Sequence, residues 1–158
     1  MTSTINIHAS CIVLGRAGEP FGARHDLGVL ILGESGAGKS DLALRLIANG
    51  AMLVADDRCD LFVCAGALHA GAPPTLQGMI EVRGVGILKL PYRISARIGL
   101  AVRIVAAGTI SRLPEPARYR PPELLAMPES HWPAEIAVAG FEASAPAKIA
   151  AAAATFAA

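Results

Sequence analysis

Leu27-Gly28-Val29-Leu30-Ile31-Leu32-Gly33-Glu34-Ser35-Gly36-Ala37-Gly38-Lys39-Ser40-Asp41-Leu42 decides the fold of this chain. Residues 27–32 are an apolar run of strand length, residues 33–40 are a glycine-rich loop, and a helix is predicted to continue through residues 41–47. Apolar positions 42, 43, 46 and 47 recur at helical spacing, and Asn49-Gly50 supplies a C-cap. Gly33, Gly36 and Gly38 permit backbone angles that other residues resist, so successive N–H groups can converge on phosphate oxygens at a helix N-terminus. The spacing Gly-x4-Gly-Lys-Ser is that of a Walker A phosphate loop. In such a loop Lys39 reaches the outer phosphates and the Ser40 hydroxyl can ligate Mg²⁺. The cofactor-binding residues are therefore read as Gly33, Glu34, Ser35, Gly36, Ala37, Gly38, Lys39, Ser40 and Asp41, with ATP or GTP as the ligand.

Outward from this loop, composition bounds the rest. A chain of 158 residues is long enough for one domain that buries most of its apolar surface. Its hydrophobic content is 53%, yet 13 acidic and 14 basic residues are scattered through it. No apolar run reaches bilayer-spanning length, so no membrane association is expected. A formal charge of +1 without a basic block offers no footprint for nucleic acid. The N-terminal residues lack the charged and apolar regions of a signal peptide, and a cytoplasmic location is expected. Cys11, Cys59 and Cys64 form no Cys-x-x-Cys pair and are expected to be reduced and mostly buried. His25, His69 and His131 show no ligand spacing to one another or to cysteine, so they are assigned no metal.

Upstream, residues 5–14 are predicted to form one strand containing His8, and residues 15–26 a loop. Downstream, residues 51–55 form a buried strand that delivers Asp56-Asp57 at its carboxyl end, where Walker B metal chemistry occurs beside a phosphate loop. Residues 59–64 enter a hairpin, and residues 71–74 make a rigid turn. In residues 78–88, Glu81 and Arg83 share one face of an otherwise apolar strand or turn. Residues 98–106 alternate as a clear strand. Six prolines between positions 112 and 133 predict irregular surface structure. Residues 136–138 read as a last strand, and Ser144 with Pro146 opens an alanine-rich helix over residues 145–156. The fold class expected is α/β: a P-loop nucleotide-binding core with a mixed sheet and flanking helices. The phosphate-loop helix is placed on one face and the C-terminal helix elsewhere.

Four of these features together resemble the catalytic domain of HPr kinase/phosphorylase. They are His8, the loop 33–40 followed by Asp41-Leu42-Ala43-Leu44, the strand ending Val54-Ala55-Asp56-Asp57, and Ile80-Glu81-Val82-Arg83-Gly84-Val85-Gly86-Ile87. The resemblance covers residues 5–113 well and continues weakly to the C-terminal helix. It is similar to the short α-proteobacterial form, which implies a single domain over residues 1–158 without the family's separate N-terminal domain. It implies a bifunctional enzyme that phosphorylates and dephosphorylates a serine of the phosphocarrier HPr or a relative, with ATP and Mg²⁺ as cofactors. It also implies a homo-oligomer, hexameric in the family. Carried over by position, the resemblance puts catalytic roles on His8, Lys39, Asp56, Asp57 and Arg112. It puts metal ligands on Ser40 and Glu81. One aspartate, for which we take Asp57, would accept the serine proton and return it in the reverse reaction. Two departures stand out: Ala9 follows His8 where many members have glycine, and the segment after Ile87 is much shorter than in long members.

Each assignment has an ordinary rival when read without the family. His8 is then a hydrogen-bonded strand histidine, Asp56-Asp57 a solvated strand end, Glu81 a surface charge paired with Arg83, and Arg112 a surface arginine. Two other functions share the same loop: a nucleotide-binding regulatory module with weak catalysis, and a small-molecule kinase. Competition between carrier and metabolites separates the latter. No Asn-Lys-x-Asp motif occurs in the chain, which disfavours a GTPase.

Overall fold

A computed structural model of the protein describes residues 3–157. Met1, Thr2 and Ala158, which belong to the expected domain and to the N-terminal reading, lie outside them. The chain enters through β1 (Thr4–His8), passes Ala9 and continues as β2 (Ser10–Val13). A 3-10 helix at Gly15–Phe21 leads to β3 (Gly28–Leu32), the phosphate-loop region and α1 (Lys39–Ala48). Then come β4 (Met52–Ala55), β5 (Arg58–Cys64) and β6 (Ala67–Gly71). A small hairpin follows, made of β7 (Met79–Val82) and β8 (Gly86–Lys89), and after it the long β9 (Ser95–Ile104). The chain closes with β10 (Ala117–Arg118), β11 (Ala134–Val138) and α2 (Ala145–Phe156).

Among the described residues nine strands make one mixed sheet, ordered β1-β5-β6-β9-β3-β2-β4, with β11 joining beside β9 and β10 beside β11. β3 and β11 run parallel to β9, while β2 runs antiparallel to both β3 and β4. The order has a consequence for the site. β1 lies at one end and β2 near the other, yet Ala9 alone separates them; β4 and β5 are separated by Asp56 and Asp57 alone. The sheet must therefore curl until its two ends meet, and both crossings fall on the same seam. The Ala9 N–H donates to the Asp57 carbonyl at 3.1 Å, and the Cys59 thiol to the Ala9 carbonyl at 3.4 Å, closing it.

The sequence pattern explains most of these elements. β3 is buried along its whole length, as its unbroken apolar run requires. α1 buries Leu42, Ala43 and Leu46 against β2 and β3 and ends at Asn49-Gly50, where Gly50 takes φ +111°. Ala65 and Gly66, both at positive φ, turn β5 into β6 as a two-residue hairpin. One core contains Ile12, Val29, Ile31, Leu42, Leu46, Leu100, Val102 and Ile149, so α1 and α2 share the same face. The other packs Cys11, Leu30, Val54, Cys59, Leu61 and Leu68 inside the curl.

Several expectations are corrected. The single strand 5–14 is two, because the chain crosses the seam at Ala9. The loop 15–26 is half a 3-10 helix. α2 packs beside α1 rather than elsewhere, its Ile149 and Ala153 completing the first core. The proline-rich stretch is not wholly a surface feature: Tyr119 and Leu125 are buried in the second core. Cys11 and Cys59 are buried and free, their thiol pKa values pushed up by burial, but Cys64 is exposed at the end of β5.

Candidate active site

The loop leaves the buried end of β3 at Gly33, where an added Cβ would lie 3.3 Å from the Cβ atoms of Ala37 and Ile104. Gly36 and Gly38 take φ +83° and +100°, values that favour glycine, and Gly38 is the N-cap of α1. The Lys39 side chain is buried and folds back across its own loop, donating to the Gly33 carbonyl at 2.8 Å and the Glu34 carbonyl at 2.9 Å. Burial lowers its pKa, while Asp57 and Asp56 act in the opposite direction. A phosphate at the loop would give this desolvated ammonium the counter-charge it lacks.

Asp56 and Asp57 are neighbours with opposite surroundings. Asp57 takes φ +67°, a conformation aspartate tolerates better than most residues, and the Arg58 N–H closes a tight turn onto the Asp56 carbonyl at 2.7 Å. The turn sends the two carboxyl groups apart. Asp56 is buried, and its Oδ1 accepts from Ser40 Oγ at 2.6 Å and Ser10 Oγ at 2.9 Å. Its Oδ2 accepts the Glu81 N–H at 3.2 Å. Asp57 keeps a side chain 65% exposed, with Oδ1 3.3 Å from Nδ1 of His8, the residue that ends β1 across the seam. The other ring nitrogen of His8, Nε2, is buried and has no partner among the described residues.

Glu81 reaches the site through the small hairpin. Ile80 is buried in the first core beside α1, which turns Glu81 outward with an exposed carboxyl group. Arg83 lies in the turn after β7, and among the described residues it makes no ion pair with Glu81. Asp41 points its carboxylate at Arg45, 2.9 Å away on the next turn of α1. Arg112 is exposed in the coil after a 3-10 turn at Ala107–Thr109, and no hydrogen bond or ion pair among the described residues ties it to the loop. The structure thus gathers His8, Lys39, Ser40, Asp56, Asp57 and the backbone of Glu81, and leaves Arg112 apart.

Three functional neighbours escape the sequence reading. Ser10 is fully buried and orients Asp56; a polar residue two places after His8 in an apolar strand was its one local signal. Arg45 donates to the carbonyls of Gly140 and Glu142, the latter at 3.1 Å, and so binds the loop after β11 to the phosphate-loop helix. Phe141, in that loop, lies over Gly38. Together with His8, Gly33, Glu34, Ala37 and Arg103 it lines an open cleft of about 1050 Å³ at the seam. Among the described residues no group of three or more His, Cys, Asp or Glu is placed to hold a metal ion alone. Ser40 and Glu81, both bonded to Asp56, offer a hydroxyl and an exposed carboxyl group, a donor pair that suits Mg²⁺, which takes one or two protein ligands and completes its shell with phosphate and water.

Residues 23–96 match a family model described as the HPr Serine kinase C-terminal domain. Curated relatives include the HPr kinase/phosphorylase of Leptothrix cholodnii, 42% identical over 112 residues, which are 65% of this chain and 34% of that protein. The HPr kinase/phosphorylase of Bordetella petrii is 46% identical over 89 residues, 51% of this chain and 29% of that protein. The chain thus spans about a third of the length of the curated relatives it matches. A solved structure, the Hpr(Ser) kinase/phosphatase from Coxiella burnetii, superposes with a TM-score of 0.71 at 25% identity, covering 92% of this chain and 91% of that one. No helix among the described residues is long and apolar enough to cross a membrane. The glycine-rich loop, the paired acids and the Glu81 hairpin all lie within residues 23–96, the segment, just under half of the chain, that is similar to the HPr serine kinase C-terminal domain.

Proposed function

We propose that this chain is an ATP-dependent protein serine kinase/phosphorylase that phosphorylates and dephosphorylates a serine of HPr or a related phosphocarrier. The observation that carries this reading is the division of labour between the two acids. Asp56 has its carboxylate oxygens committed to Ser10, Ser40 and the Glu81 backbone, whereas the Asp57 carboxyl group is exposed and is engaged by His8, a residue that lines the cleft. Phosphoryl transfer asks the protein mainly for alignment and charge neutralisation. The loop amides and Lys39 hold the triphosphate. Ser40 and Glu81 would hold Mg²⁺, which supplies charge neutralisation at the phosphates when bound. Asp57 accepts the proton of the acceptor hydroxyl as its oxygen bonds to the transferred phosphorus and the bond to the nucleotide breaks. His8, which lines the cleft, holds the Asp57 carboxylate in place. In reverse, protonated Asp57 returns the proton to the departing serine oxygen while inorganic phosphate takes the phosphoryl group, giving pyrophosphate. Arg112 is assigned the role of stabilising negative charge at the transferred group, which requires the coil around it to close on the cleft. The acceptor, the cytoplasmic setting and a homo-oligomeric assembly follow the same family reading.

Incubating the purified chain with ATP, Mg²⁺ and the cognate carrier, then weighing the carrier intact, tests the proposal. A gain of one phosphate, lost again on addition of inorganic phosphate without ATP, is expected. ATP binding without any gain would identify a nucleotide-dependent binding module instead.

A further inference from the structure

We infer that Phe141 is the platform on which the base of the bound nucleotide stacks; this deepens the nucleotide-site reading above and rests on it. Scattered exposed apolar side chains are ordinary, but this one is placed. Phe141 is 70% exposed, yet its ring tip lies so close to the phosphate loop that an added Cβ on Gly38 would come within 2.7 Å of Phe141 Cζ. The backbone on either side of the ring is anchored. Arg45 donates to the carbonyls of Gly140 and Glu142, and the Glu142 carboxylate pairs with Lys148 at 2.8 Å. Gly140 is packed so tightly that a Cβ there would sit 2.9 Å from Ile104 Cγ2 and 3.1 Å from the Ala37 carbonyl. The ring is therefore presented on a fixed loop.

What it is presented to follows from the cleft. The charged end of a nucleotide belongs to Gly33–Ser40, where the glycines, Lys39 and Ser40 are. The wall beyond, formed by Ile104, Val105, Ala106, Ala107 and Phe141, is an apolar patch with Arg103 and Glu142 at its edges, and it suits a flat, weakly solvated group. Within a nucleoside triphosphate the base alone has that character. Stacking on an aromatic face tolerates any base and is lost on truncation to alanine.

Binding of ATP and of tripolyphosphate, which has no base, is to be measured by calorimetry for the wild-type chain, F141A and F141W. The expected result is ATP affinity about tenfold weaker in F141A, tripolyphosphate affinity unchanged, and ATP affinity retained in F141W. Equal changes for both ligands, or none, would overturn the platform. Tighter binding of both ligands by F141A would do so as well, since the ring would then be a cover over the loop. A wild-type chain that binds neither ligand would instead remove the nucleotide site itself.

Discussion

The phosphate-loop region and the β7–β8 hairpin meet at one carboxylate but are built in opposite ways. The loop is embedded: β3 behind it is buried, α1 buries one face in the core, Lys39 is satisfied by loop carbonyls, and Arg45 locks the loop after β11 onto its helix. The hairpin is a separate two-stranded sheet with Val85 69% and Ile87 66% exposed, held to the core through Ile80 and to the site through the Glu81 N–H. A cradle for phosphate has to be rigid, because its amides act only when already aimed. A carboxylate that completes a metal site can arrive on a lighter arm. Asp56 is the joint, since it bonds to both.

Lys39→Met is the harshest way to break the cradle. It should lower phosphate transfer by about 10³-fold, roughly 4 kcal/mol of transition-state stabilisation, while leaving the circular dichroism spectrum unchanged. Next in size is a contrast in stability. Leu46, fully buried under the cradle, should lose about 3 kcal/mol on replacement by alanine; exposed Ile87→Ser in the hairpin should lose no more than about 0.5 kcal/mol. Urea denaturation reads both, and equal losses would erase the distinction. Glu81→Gln sharpens it further. The Mg²⁺ concentration needed for half-maximal transfer should rise at least about tenfold with unchanged unfolding, because the carboxyl group is exposed and bears no packing.

Legibility in the sequence followed the same divide. The cradle was readable because its chemistry is local: strand, glycines, lysine, serine and helix follow one another within residues 27–50, and each lies where the spacing put it. The seam was not readable. Nothing in the apolar run of residues 5–14 announces a break at Ala9, because the break serves to join sheet ends distant along the chain. For that reason Ser10 and its bond to Asp56 went unseen. Arg45 carries no signal of its own in the sequence, because its partners Gly140 and Glu142 lie almost a hundred residues on. Tyr119 and Leu125 were hidden among prolines, which mark irregular backbone but say nothing about what the side chains between them cover. The contrast between Asp56 and Asp57 needed the fold, since adjacent side chains at a strand end readily face opposite ways and the sequence does not say which of the two is buried.

That contrast is tested most directly by measuring single-turnover phosphate transfer to the carrier and ATP affinity side by side for Asp57→Asn and Asp56→Asn. The account predicts that Asp57→Asn abolishes transfer in both directions while ATP binds as tightly as before, and that Asp56→Asn weakens the Mg²⁺-ATP complex itself. Full transfer by the Asp57→Asn chain would contradict it.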